Sequence, residues 1–215
     1  MTSPKRPSSL VVVVGTATEI GKTWATCRIA QSARARGVRL AARKPAQSFE
    51  ATASGAPLEP TDADLLGDAT LEAPTDVCPA HRWYPVAMAP PMAAEVLDRA
   101  PILLDELVDE LWWPGDAEVG VVETAGGVRS PLAHDADSAQ LTHRLDPDLV
   151  LLVADAALGT INSTRLSTEA LRPLRTVVLL NRYDAGNDLH RRNRQWLQER
   201  DGLEVVVDPT EVPLR

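Results

Sequence analysis

The chain has 215 residues, 44% of them hydrophobic and only 4% aromatic, with a formal net charge of −8. That is enough chain and apolar content for one sizeable α/β domain whose core is built from Val, Leu, Ile and Ala. The acidic balance argues against a nucleic-acid partner held by phosphate neutralisation, and the two cysteines, Cys27 and Cys78, give neither a disulfide framework nor a metal-site spacing.

Residues 1–9 are polar, contain Pro4 and Pro7, and read as a disordered tail. The apolar run at 10–14 is too short for a signal peptide or a membrane span, so no membrane partner is expected and the protein reads as cytoplasmic. This run and those at 118–123, 148–154 and 175–181 are rich in Val and Leu on both faces, as buried parallel strands require. Weaker strands are predicted at 39–44 and 204–207, and helices at 22–36, 102–112, 162–171 and 187–200. Alternation of strand and helix implies right-handed crossovers, hence a doubly wound, mostly parallel sheet with helices on both faces. Residues 45–101 differ: rich in proline, they read as long functional loops around one short helix at 61–68. With no repeat and no linker, 1–215 reads as a single domain.

The run Gly15-Thr16-Ala17-Thr18-Glu19-Ile20-Gly21-Lys22-Thr23 lies between the first strand and the first helix. That context makes it a phosphate loop, in which backbone amides and the helix N-terminus face phosphate oxygens. Lys22 is placed to reach the outer phosphates and the Thr23 hydroxyl to ligate Mg2+. Five residues separate Gly15 from Gly21, one more than the general motif allows. Glu123, closing its strand, is a candidate second magnesium ligand. Asp62 is either a ligand or, with Thr61, the cap of the short helix. Lys44 ends the second strand where such sheets bind ligands, and Ser48 follows it. His81, His134, His143 and His190 share no spacing that suggests a metal site, and no Ser-His-Asp or Cys-His arrangement stands out.

Seven pieces in order make the chain resemble the dethiobiotin synthetases, within the phosphate-loop superfamily that includes cobyrinate amidating enzymes. They are Gly-Thr-Ala-Thr-Glu-Ile-Gly-Lys-Thr (15–23), Lys-Pro-Ala-Gln-Ser (44–48), Thr-Asp-Ala (61–63), Met-Ala-Pro-Pro-Met-Ala-Ala-Glu (88–95), Glu-Thr-Ala-Gly-Gly-Val (123–128), Leu-Gly-Thr-Ile-Asn (158–162) and Asn181. The long loop spacing is the family's own. The resemblance implies an ATP- and Mg2+-dependent ligase that converts 7,8-diaminopelargonic acid and carbon dioxide to dethiobiotin through a carbamate and a carbamic-phosphoric anhydride. It implies catalytic roles for Lys44, Lys22 and Thr18. Its ATP site would take in Glu19, Ile20, Gly21, Lys22, Thr23, Trp24, Asp62, Glu123, Thr124, Ala125, Gly126, Asn181 and Arg182, the last two toward the adenine. Metal ligands would be Thr23, Asp62 and Glu123. The substrate would meet Lys44, Ser48, Gly126, Gly159, Thr160, Ile161 and Asn162, with its carboxylate tail bound across a homodimer interface.

Three departures stand against that pattern. Thr124 replaces a common glycine, a difficulty if φ there is positive. Phe49 stands where a glycine is usual and would narrow the substrate pocket. The nucleotide loop expected near the C-terminus is reduced to residues 207–209. Two alternatives follow: a related ligase acting on another substrate, and a nucleotide-dependent switch or partitioning ATPase. The latter typically carries an extra lysine early in the loop, and residues 16–20 contain none.

Overall fold

A computed structural model of the chain describes residues 6–214. The principal sheet is parallel throughout. In chain order its strands are β1 (Ser9–Gly15), β2 (Leu40–Arg43), two further strands outside this sheet, β3 (Gln47–Ser48) and β4 (Trp83–Tyr84), then β5 (Val119–Glu123), β6 (Leu149–Asp155), β7 (Thr176–Asn181) and β8 (Glu204–Val206). The spatial order β2-β5-β1-β6-β7-β8 puts β1 between β5 and β6, so the carboxyl ends of these three strands converge.

Helices cover both faces because β1 is apolar on both. Leu10, Val12 and Val14 face one layer, which includes α4 (Pro90–Val96), α5 (Leu104–Asp109), α6 (Ser138–Leu145), α7 (Thr160–Leu171) and α8 (Asp188–Glu199). Val11 and Val13 face α1 (Lys22–Ala35) and the C-terminal Val212 and Leu214. Leu151 and Leu152 are fully buried on opposite faces of β6. Truncating either to Ala would cost about 2–5 kcal/mol. Burial pushes the Cys27 and Cys78 thiols up to about 12, which leaves both as inert packing groups.

The structure corrects the tail expected at 1–9. Met1–Lys5 lie outside the described residues, but Ser9 already belongs to β1, its amide bonded to the Glu118 carbonyl at 3.1 Å. Arg6 donates to the Asp146 carbonyl and to Asp148. The segment 45–101 is also more ordered than a set of loops. It holds α2 (Asp62–Thr70), α3 (Pro74–Val77) and α4, together with the parallel pair β3–β4. Pro90 and Pro91 open α4, where the proline's missing N–H is not needed. The helix expected at 102–112 is shorter, α5 (Leu104–Asp109), and before it the amides of Ile102 and Leu104 are bonded to His134 Nδ1 and Asp135. Besides α3 and α4, α6 went unread. Its Asp137–Gln140 capping box was the available signal.

Candidate active site

The phosphate loop leaves β1 at Gly15, where a Cβ would come within 2.7 Å of Ile20 Cγ2. It then passes through two left-handed residues, Glu19 (φ 56°) and Gly21 (φ 95°), the latter being the N-cap of α1. No side chain caps this helix, so its first amides stay directed at the loop. Lys22 is 7% exposed and donates to the Gly126 carbonyl at 2.8 Å. Burial first, and then the neighbouring Lys44 charge, lower its pKa to about 8.

Four side chains from four elements meet beside the loop. Thr23 Oγ1, on α1, is 2.8 Å from both Asp62 Oδ1 and Glu123 Oε1, although its single proton serves one at a time. Lys44 Nζ, just past β2, is 2.6 Å from Asp62 Oδ2 and 2.9 Å from Glu123 Oε1. Burial alone would lower the Lys44 pKa, but the two carboxylates outweigh it and raise it. Asp62 is lowered in turn, since Lys44 overcomes its own desolvation. Glu123, at the end of β5, is fully buried. The choice between cap and ligand at Asp62 resolves against the cap. Thr61 caps α2 in a capping box with Asp64, which leaves the Asp62 carboxylate turned toward Thr23 and Lys44.

The hydroxyl and two carboxylates form a hard-oxygen set that fits Mg2+, a cation that prefers a few protein oxygens plus phosphate and water to an all-protein cage. The buried cation already lodged between these carboxylates, the Lys44 ammonium, shows that the set is electrostatically suited to positive charge.

A cavity of about 800 Å³ adjoins this cluster. It is lined by Thr18, Glu19, Ser48, Phe49, Asp62, Met88, Ala125 and Gly126, among others. Ser48 Oγ donates to the Met88 carbonyl at 2.5 Å, so it braces the wall. The Phe49 ring stands edge-on to Trp83 at 6.3 Å. A second cavity, sharing Thr18, Ser130 and Pro131 with the first, runs past Thr16 and Ala17 to Asn162 and Leu166. Of the predicted group at 159–162, Asn162 lines this second cavity, Gly159 is the left-handed N-cap of α7, Thr160 is buried with its hydroxyl unpaired, and Ile161 packs on the core. These residues are not brought to Lys44.

Other expectations resolve plainly. Trp24 is 51% exposed on α1 and lines neither cavity. Thr124 avoids positive φ, which falls instead on Gly126 (φ 66°). The Thr124 amide bonds the Val13 carbonyl at 3.0 Å. Asn181 and Arg182 lie against the phosphate loop, bonding the carbonyls of Ile20 and Glu19. Residues 207–209 lead into a single 3-10 turn, Pro209–Glu211, capped by Asp208 and packed on α1. Sequence reading missed Thr26, whose hydroxyl holds Glu123 Oε2 at 2.9 Å. Its spacing of four from Lys22 and three from Thr23 puts it on their helix face and was the available signal. It also missed Gln47, whose amide ties β3 to Thr61 and Ala63 at the start of α2.

A parallel doubly wound sheet with a glycine-capped loop at the carboxyl end of β1, and Lys, Thr and carboxylates converging on it, defines a phosphate-loop nucleotide-binding protein of the α/β class. Solved structures agree on the fold. The signal recognition particle receptor FtsY from Elizabethkingia anophelis superposes with a TM-score of 0.53 at 15% identity, over 98% of this chain and 63% of that one. A plasmid partition protein from Borrelia burgdorferi B31, bound to AMPPNP, gives 0.55 at 11% identity over 94% and 88%. The AAA domain family model matches residues 9–213. Sequence relatives are more specific. The ATP-dependent dethiobiotin synthetase BioD of Anaeromyxobacter sp. (strain Fw109-5) is 39% identical over 79% of this chain and 74% of its own length. That of Haloferax mediterranei is 34% identical over 92% and 82%. The chain belongs to the dethiobiotin synthetase family.

Proposed function

We propose that the protein catalyses the ATP- and Mg2+-dependent carboxylation and ring closure of 7,8-diaminopelargonic acid to dethiobiotin, a step of biotin biosynthesis. The observation that carries this reading is the buried Lys44 ammonium set between Glu123 and Asp62, the latter a wall residue of the cavity next to the phosphate loop. A carbamate formed on one substrate amine needs a fixed positive charge beside the phosphoryl group it will accept, and Lys44 supplies it. Lys22 and the loop amides hold the triphosphate, and Lys22 neutralises charge on the transferring phosphoryl group. Thr18, on the cavity wall, faces the same space. Thr23, Asp62 and Glu123 would hold Mg2+, which when bound offsets phosphate charge. The second amine then displaces phosphate and closes the ureido ring. No step calls for a protein nucleophile; positioning and charge carry the chemistry.

Ser48, Phe49 and Gly126 border the diamine, and the second cavity toward Asn162 takes the carboxylate tail. We assign the protein to the cytoplasm as a homodimer. No described helix is long and apolar enough to cross a membrane. The test is ADP release on adding diaminopelargonate and bicarbonate to the protein with Mg2+ and ATP, alongside detection of dethiobiotin by mass spectrometry. Stimulation by the diamine is expected; ATP turnover indifferent to it would overturn the reading.

A further inference from the structure

Thr26 is fully buried on α1, one helical turn after Lys22, and no step of the proposed chemistry uses it. Its Oγ1 lies 2.9 Å from Glu123 Oε2 and 3.0 Å from the Lys22 carbonyl. The hydroxyl has one proton for these two acceptors, and the buried carboxylate, being charged, is the stronger of them. Glu123 thus divides its oxygens between two sides. Oε1 meets Thr23 Oγ1 at 2.8 Å and Lys44 Nζ at 2.9 Å, whereas Oε2 is bonded to Thr26.

We infer that Thr26 is a positioning residue that sets the Glu123 carboxylate for Mg2+ and for Lys44. The terminal torsion of a glutamate is broad, and its two oxygens are chemically equal. Packing around Glu123 fixes the stem of the side chain, but the carboxylate plane can still rotate. The two oxygens turn together, so holding Oε2 from α1 fixes that rotation and keeps Oε1 on the side of Thr23 and Lys44. Helix periodicity builds the arrangement. Thr26 lies three residues after Thr23 and four after Lys22, so one face of α1 carries the loop lysine, the hydroxyl beside the site and the hydroxyl behind it. The same contact ties α1 to the end of β5, the two elements that meet at the site.

The inference rests on the reading of Thr23, Asp62 and Glu123 as magnesium ligands, and the test separates the two. Binding of a non-hydrolysable ATP analogue is measured by calorimetry with and without Mg2+, and Mg2+ is titrated into the analogue-loaded protein. The natural chain, Thr26→Val and Thr26→Ser are compared. Valine keeps the shape of the side chain and removes the donor to Oε2. It should weaken Mg2+ binding by about tenfold, the lower end of what partners of metal ligands contribute. Affinity for the metal-free analogue should stay at the natural value, because Lys22 and the loop amides are untouched. Thr26→Ser keeps the hydroxyl and should restore the natural Mg2+ affinity. Thr26→Ala removes the same donor and carries the comparison if Thr26→Val fails to fold. Unchanged Mg2+ affinity in Thr26→Val, an equal loss with the metal-free analogue, or a Thr26→Ser variant as weak as Thr26→Val would each overturn the inference. If the natural protein binds the analogue equally with and without Mg2+, the magnesium reading itself fails and takes this inference with it.

Discussion

The Lys44 ammonium lies 2.6 Å from Asp62 Oδ2 and bridges that carboxylate to the fully buried Glu123, 2.9 Å away on the adjacent strand. β2 is an edge strand, and the two ends of α2 both brace its carboxyl end. Asp62, at the start of the helix, holds the Lys44 side chain. Glu72, just beyond its end, accepts from the Ala42 amide and pairs with Arg43. The lysine is therefore fixed at the carboxyl end of the strand, as a group that must hold charge at one point requires.

Lys44→Ala should abolish ring formation, with a loss of at least about a hundredfold in kcat, while ATP affinity falls by less than about threefold. Lys22→Ala should remove ATP binding, because Lys22 faces the loop and the Gly126 carbonyl instead. Lys44→Ala also leaves a buried carboxylate without its cation, so the variant should lose about 3 kcal/mol of stability and regain part of it on adding Mg2+. Product formation, calorimetry and thermal melts with and without Mg2+ check the three statements. Equal loss of ATP binding in both variants would refute the division of labour between the lysines.

Thr124→Gly and Gly126→Ala should behave oppositely. Thr124 has ordinary backbone geometry and gives up one weak contact, its Oγ1 lying 3.3 Å from the Val13 carbonyl. Replacing it with glycine should cost about 1 kcal/mol and leave kcat within a few-fold of the natural value. Gly126 has φ 66°, and a Cβ there would meet Ser130 Oγ at 2.5 Å. Alanine should displace the peptide whose carbonyl Lys22 holds and lower kcat/KM by about tenfold or more. Steady-state kinetics and chemical denaturation on the pair decide this.

Phe49→Gly should raise KM for the diamine by about tenfold and leave KM for ATP unchanged. The ring lines the cavity and rests on Trp83, so removing it widens the diamine side without touching the loop. A KM for the diamine that falls instead would mean the ring obstructs this substrate, in favour of a ligase built for another one.

Much of this was legible in the residues. The continuous apolar strands could only be buried on both faces, and the loop between β1 and α1 declared its ligand through Gly21, Lys22 and Thr23. The proline-rich segment was misread because local signals there compete. Pro90 and Pro91 look like helix breakers, yet at the first positions of α4 they start one. Asp62 was undecidable in isolation. Thr61, Asp62 and Asp64 are all capping types, and only the fold shows which two are spent on the cap. Asn181 was read toward the adenine from the family resemblance, and its bond to the Ile20 carbonyl, 161 residues away, left no trace in the sequence.

Asp148 gives a prediction for acid conditions. Its Oδ2 accepts from the Leu10 amide at 2.7 Å and from Arg6, pinning the start of β1 to the start of β6. The amide of Leu10, with help from Arg6, holds the carboxyl below its ordinary value of 3.8. A carboxylate whose folded-state pKa is depressed adds stability above its unfolded-state pKa and loses it as pH falls through the folded one. The side chain is 55% exposed, so solvent screening limits the contribution to about 1 kcal/mol. Asp148→Asn should therefore lower the urea midpoint at about pH 7, and the gap from the natural protein should close below about pH 3. A gap of the same size at both pH values would mean that the amide–carboxylate contact, and not its charge, ties the two strands.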